Sequence, residues 1–79
     1  MNRIRINYEA ANVACGRTST SIRSTYYDMA CRMCGSPATA MRWLSGLAVK
    51  LRPTVTGREL PRAIEAAVMA EAVAQMPRA

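Results

Sequence analysis

The 79-residue chain contains no histidine and no phenylalanine, and its five acids face eleven cations. Without histidine, the side chain that most often shuttles protons near neutral pH is missing. The five acids, Glu9, Asp28, Glu59, Glu65 and Glu71, are scattered along the chain instead of paired. Most of them suit helix surfaces. Serine and threonine are plentiful, but no base accompanies them as an activator. Gly16-Arg17-Thr18-Ser19 lacks both the Gly-rich approach and the Lys-Ser/Thr ending of a phosphate loop. These absences predict a protein that binds instead of catalysing, with no cofactor.

Cysteine is also scarce. Three residues form an odd set, which argues against a closed disulfide framework and fits a reducing compartment. Cys31 and Cys34 have the spacing of a zinc or redox pair. Zinc needs about four ligands, and only Cys15 remains to add. Redox pairs sit at helix N-termini, where the dipole favours thiolate, whereas this pair falls at a predicted helix C-terminus. Two small apolar side chains on a helix face is the better reading, with no metal. Long apolar runs are missing too. The longest, Ala66 to Ala74, is broken by Glu71 and is too short to span a bilayer. Arg3 and Arg5 are not followed by the apolar core of a signal peptide. Asn12-Val13-Ala14-Cys15 has a polar residue where a lipoprotein cleavage site is aliphatic. A cytoplasmic location is therefore expected, without a membrane.

What is present is apolar and basic. Apolar residues make up 51% of the chain, so it has the material for a core. The only aromatics are Tyr8, Tyr26, Tyr27 and Trp43, and six methionines and many alanines supply the remaining volume. Alanine lets helices approach closely and methionine fills irregular gaps. A single domain of this length buries only about 60% of its unfolded surface, so a second copy or a partner would help it. The net charge is +6, carried by ten arginines and Lys50. Arginine presents a planar fork of donors suited to phosphate and carboxylate. The balance favours nucleic acid or acidic protein surfaces as partners, or simply solvates the surface.

Residues 3–8 alternate, with Ile4, Ile6 and Tyr8 on one side and Arg3, Arg5 and Asn7 on the other. A period of two predicts a half-buried strand. Its pairing partner is either a segment near Val13, a segment at Thr54 to Thr56, or the same strand of another copy. Residues 9–16 read equally as two helical turns stopped by Gly16 or as the return arm of a hairpin. Arg17 to Ser21 suits a loop and helix cap, because Ser and Thr compete for backbone hydrogen bonds.

Three helices are predicted beyond. The first runs from about residue 20 to Cys34, with Ile22, Tyr26, Met29 and Met33 as its apolar stripe and Asp28 and Arg32 paired on the surface. Gly35 ends it with a left-handed cap. Ser36 and Pro37 start the second as N-cap and first helical residue. That helix continues to about Leu51 and stops before Pro53. Ala40, Met41, Trp43, Leu44, Leu47, Ala48 and Leu51 cover one arc, with Arg42, Lys50 and Arg52 outside it. Trp43, Leu44, Leu47 and Leu51 are expected to pack together against Ile22, Tyr26 and Met29. The third runs from about Pro61 to Met76 after a turn at 56–60. A capping box at Thr56 to Glu59 would start it earlier but would leave Pro61 where a donor is needed. Ile64, Ala67, Val68 and Ala72 form one apolar face, and Ala66, Met69, Val73 and Met76 a second. The expected fold is a mostly α (α+β) single domain, a short N-terminal strand element plus three helices.

The face of Arg3, Arg5 and Asn7, with Arg17 and Arg23 near it, is the candidate partner-binding surface. Met69, Val73 and Met76 form a candidate second interface, to a second copy or a partner groove. Over residues 3–34 the chain resembles ribbon-helix-helix repressors. In these a paired strand from two subunits places such a face in the major groove. There Arg can pair with guanine and Asn with adenine. Gly16-Arg17-Thr18-Ser19, followed by Ile22 and Arg23, resembles the turn between that family's two helices. As a whole, a small Arg- and Ala-rich chain without catalytic groups looks like the inhibitor proteins of phages and mobile elements, anti-CRISPR proteins among them. That resemblance implies a protein that occupies a site on a larger host nucleoprotein complex and blocks its access to nucleic acid. A DNA-binding repressor is the alternative, and a structural oligomerisation or adaptor module built on the third helix is another.

Overall fold

The N-terminal strand finds its partner inside the chain. The computed structural model describes residues 2–9 and 17–76. Strand β1 (Arg3–Glu9) pairs antiparallel with β2 (Arg17–Arg23), in a register that sets Arg3 against Arg23, Ile6 against Thr20 and Glu9 against Arg17. The Ser/Thr-rich run is therefore strand, not the expected loop and cap. Thr18, Thr20 and Ile22 are β-branched at every second position and suit a pleated, half-buried surface. Once β1 offers its backbone groups, pairing outweighs the local hydrogen bonding that Ser and Thr otherwise prefer. Thr54 to Thr56 lies in a turn and pairs with neither strand. The readings of residues 10–16, Val13 and Cys15 among them, lie outside the described residues.

Helix α1 spans Ser24–Cys34, so it starts about four residues later than the sequence suggested. Ile22 belongs to β2 and reaches the core from the sheet, fully buried. Gly35 ends α1 at φ 86°, and its N–H donates to the Cys31 carbonyl. Ser36 then caps α2 (Pro37–Leu51): its Oγ accepts from the Thr39 N–H at 3.2 Å, with Pro37 in the first helical turn. Both boundaries are as the sequence predicts. A Cβ added at Gly35 would touch nothing within 4 Å, so its penalty is purely conformational. Gly35→Ala is expected to lose about 1 kcal/mol. Gly46→Ala, mid-helix and equally unobstructed, should gain about 0.5–1 kcal/mol. Urea midpoints moving in the same direction for both would contradict this.

The capping box at Thr56 and Glu59 does form, inside the turn that precedes α3 (Leu60–Gln75). Thr56 Oγ accepts from the Glu59 N–H at 3.3 Å, and Glu59 Oε1 accepts from the Thr56 N–H at 3.4 Å. The Leu60 N–H reaches the Thr56 carbonyl, so the missing donor of Pro61 falls one residue beyond the box. Turn and box coexist, which the sequence presented as alternatives.

The core joins the inner side of the hairpin to all three helices. Ile6, Ile22, Ala30, Ala40, Leu44, Ala48, Leu60, Ile64 and Val68 are fully buried, and Tyr8 nearly so. Buried alanines on α1 and α2 let the helices approach closely. Trp43, Leu47, Leu51, Tyr26 and Met29 pack against this cluster but are only half-buried. The buried line of α2 is thus Ala40, Leu44 and Ala48, one flank of the predicted arc. The fold is an α+β domain of two strands and three helices. Among the described residues no helix is long and apolar enough to cross a membrane.

Candidate interface on the outer face of the hairpin

Alternation along β1 sends Ile6 and Tyr8 inward and leaves Arg3, Arg5, Asn7 and Glu9 exposed. Directly opposed residues of an antiparallel pair share a face. The register therefore adds Arg23, Ser21, Ser19 and Arg17 to the outer face, opposite Arg3, Arg5, Asn7 and Glu9. All five residues nominated from sequence, Arg3, Arg5, Asn7, Arg17 and Arg23, stand at positions of one ribbon face. The side chain of Arg17 lies outside the described residues. A seven-residue strand makes this face about 20–25 Å long.

The register also sets Arg3 directly against Arg23, and like charges so placed repel. Two arrangements relieve the pair. Arg3 turns along the ribbon: its Nε donates to Ser21 Oγ at 3.0 Å and its Nη2 to the Ser21 carbonyl at 2.8 Å. Arg23 turns to α3, where Nη2 meets Glu65 Oε1 at 3.1 Å and Nε meets Oε2 at 3.3 Å. The Arg23 backbone N–H also donates to Oε2, at 2.9 Å. The guanidinium lies 5.0 Å from the centroid of the Tyr26 ring, a cation–π contact. Arg23 is therefore half-exposed but engaged, tying the junction of β2 and α1 to α3.

Glu65 is the residue behind this face that sequence reasoning missed. It looked like a helix-surface acid, yet it is 8% exposed and sits among Ile64, Leu60 and Val68 on the buried side of α3. Its burial pushes the carboxyl pKa up. The hydrogen bonds from the Arg23 side chain and backbone, with the charges of Arg23 and Arg3, outweigh that and hold it below the ordinary value. The only available hint was a carboxylate inside an otherwise apolar stretch from Ala63 to Ala70. Its partner lies 42 residues away and could not be read.

With Arg3 and Arg23 engaged, Arg5 is exposed and has no hydrogen-bond partner among the described residues. It lines an open groove of about 540 Å³ with Arg3, Ser19, Thr20, Ser21 and Pro61. A second depression, of about 590 Å³, lies farther along the ribbon between Asn7, Tyr8, Glu9, Thr18 and Ser19. The Asn7 carbonyl accepts from Ser45 Oγ at 2.7 Å, which fastens this end of β1 to α2 while the Asn7 side chain stays exposed. The face offers hydroxyls, an amide and guanidinium donors on a backing held by Ile6, Tyr8 and Ile22.

Elsewhere, Cys31 and Cys34 are half-buried at the C-terminal end of α1. Among the described residues no three His, Cys, Asp or Glu side chains could share a metal ion. Met69, Val73 and Met76, the candidate second interface, are 44%, 59% and 65% exposed. No protein-family model matches the chain, and neither does a curated protein or a solved structure.

Proposed function

We propose that the chain is a non-enzymatic binding protein that docks through the outer face of its hairpin. Its mode of action would be that of an anti-CRISPR-like inhibitor in the host cytoplasm, covering part of a larger nucleoprotein complex and blocking its access to nucleic acid. The observation that carries the reading is the polar ribbon face of Arg3, Arg5, Asn7, Ser19 and Ser21. A net charge of +6 has the wrong sign for mimicry of nucleic acid. Inhibition would therefore act by covering an acidic protein surface, with Arg5 as the forward charge.

One observation favours direct DNA binding as a second reading: a two-stranded ribbon fits the major groove, and Arg and Asn are the side chains that read bases there. Against it stands the small number of cations that the described residues place on this face. Tight DNA binders neutralise several phosphates, whereas on this face the charge of Arg23 is already paired with Glu65. A repressor of this kind would also need a second copy to read a two-fold site.

Arg5→Glu tests the proposal. The melting temperature should stay within a degree or two of the parent, because Arg5 points into water. Affinity for the target complex should fall about tenfold or more, that is by about 1.4 kcal/mol. The parent should lower target-DNA binding by that complex while leaving free duplex unshifted on a gel. A dimer that binds a palindromic duplex at physiological salt, with affinity falling about one power of salt per neutralised phosphate, would replace this reading with the repressor.

A further inference from the structure

The outer side of α3 carries a seam that the hairpin face does not explain. Arg62, Ala66, Met69, Val73 and Met76 are all exposed and follow one another at spacings of four, three, four and three residues. That is the spacing of a coiled-coil seam, and on a helix it gathers Arg62, Ala66, Met69 and Val73 into one narrow stripe, which Met76, the C-cap residue just past α3, continues. The opposite side of α3 already holds Leu60, Ile64, Glu65 and Val68 in the core, so the stripe has no partner within the described residues. Beside it stand Ala63, Ala70 and Ala72, which let another backbone approach closely.

Among the described residues the stripe is polar at one end only. Toward the N-terminus of α3 it runs into an open groove of about 540 Å³ lined by Val55, Arg58, Glu59, Arg62, Ala63 and Ala66. Two cations and one acid share this groove. The acid, Glu59, accepts from the hydroxyl and N–H of Thr56, and the hydroxyl bond chiefly holds its pKa below the ordinary value, so it stays charged and offsets one of the two cations. Of the other acids on α3, Glu65 is bound to Arg23 and Glu71 is bonded to Gln75 on the far side of the helix. With two guanidiniums and one carboxylate in the groove, this end of the stripe keeps a net positive charge that an acidic group of another molecule would complement.

We infer that the Arg62–Met76 stripe of α3 is a second docking surface, whose occupant is an amphipathic helical segment of a partner protein. The segment carries apolar residues at alternating three- and four-residue spacing and acidic residues at the end that meets Arg58 and Arg62. Methionine at two of the seam positions suits a surface that adapts to another protein's side chains. A second copy of this chain fits poorly. Parallel pairing opposes Arg62 to Arg62, and antiparallel pairing buries Arg62 against Met76 with no acid to meet it. An anionic bilayer fits poorly too, since no aromatic anchors the stripe and among the described residues cations flank it at one end only. The surface is separate from the hairpin face, so its failure and that of the proposed function are distinguishable.

The test uses the full chain and labelled synthetic helices about three heptads long. Each carries a leucine seam with Glu at one end, made in both directions, and each has a twin with Lys in place of Glu. Fluorescence anisotropy should show one Glu peptide binding about tenfold or more tighter than its Lys twin. Arg62→Glu should reverse that preference, and Met69→Gln with Val73→Gln should abolish binding of both peptides. Arg5→Glu should change nothing here. Circular dichroism of the variants should match the parent, since all four positions are exposed. Equal binding of the twins, or none, overturns the inference. So does a dimer in sedimentation that the double Gln variant dissociates, or partition onto anionic phospholipid vesicles that the same variant abolishes.

Discussion

Leu44→Ala is expected to destabilise the domain by about 2–5 kcal/mol, the range for deleting a fully buried leucine side chain. Leu44 is fully buried in the middle of α2, and its neighbours one turn away on the same line are Ala40 and Ala48. Alanine has no side chain that can swing into the hole. The methionines packed at the cluster's margin, Met29, Met33 and Met41, can lean inward and relieve part of the loss. A chain of this size has about 4–12 kcal/mol of stability in all, and each kcal/mol moves its melting temperature by about 4–8 °C. The variant should thus melt at least about 8 °C lower, or be unfolded at 25 °C. Leu47→Ala, at a half-buried position, should lose clearly less. A thermal melt in which Leu47→Ala proves the worse of the two would mean that the buried line of α2 is misplaced.

That contrast shows where the sequence was legible. The α2 boundaries were readable because every signal is local: Gly35, Ser36 and Pro37 act within one turn of themselves. The apolar arc was readable too, but it spans more than one flank. Which flank faces the core depends on where the hairpin and α3 lie, and those positions are set by distant contacts. Strand β1 was legible because its alternation is complete. Its mate was not, because Ile22 is the one large apolar residue in β2. Thr18, Thr20 and Ile22 form a strand because β1 needs a partner, a requirement written elsewhere in the chain.

The candidate surfaces divide in the same way. Period two alone placed Arg3, Arg5 and Asn7 together, and helical spacing alone placed Met69, Val73 and Met76 together. Whether each guanidinium is free is a tertiary fact. Arg23 and Arg5 are the same residue on the same face, yet one is bound to Glu65 and the other is not. Only the register, with Arg3 opposite Arg23, shows why an acid is needed at that corner.

Removing that acid should be felt in both stability and pH dependence. Glu65→Ala is expected to lose about 1–3 kcal/mol, because it leaves the Arg23 N–H without its acceptor and the opposed Arg3 and Arg23 uncompensated. The loss should fall toward the lower end, since the guanidinium of Arg23 is half-exposed and screened by solvent. The sign of the pH effect follows from the depressed pKa of Glu65 in the folded state. Above the unfolded glutamate value, about 4.3, the carboxylate is charged in both states and its full stabilisation is present. As pH falls below that value the unfolded chain takes up a proton first, and the stabilisation is lost as pH drops through the folded pKa. Glu65→Gln should therefore lower stability at pH 7 and flatten the acid limb of a stability–pH curve. Glu59 is depressed as well, chiefly by the Thr56 hydroxyl, so its contribution has the same sign. Some acid dependence should thus survive in Glu65→Gln and shrink further when Glu59→Gln is added. Urea midpoints at pH 7 and at pH 3 for the three proteins measure this directly. If Glu65→Gln parallels the parent across that range, Glu65 does not hold Arg23 in solution. Arg23 would then join Arg5 as a forward charge of the ribbon face.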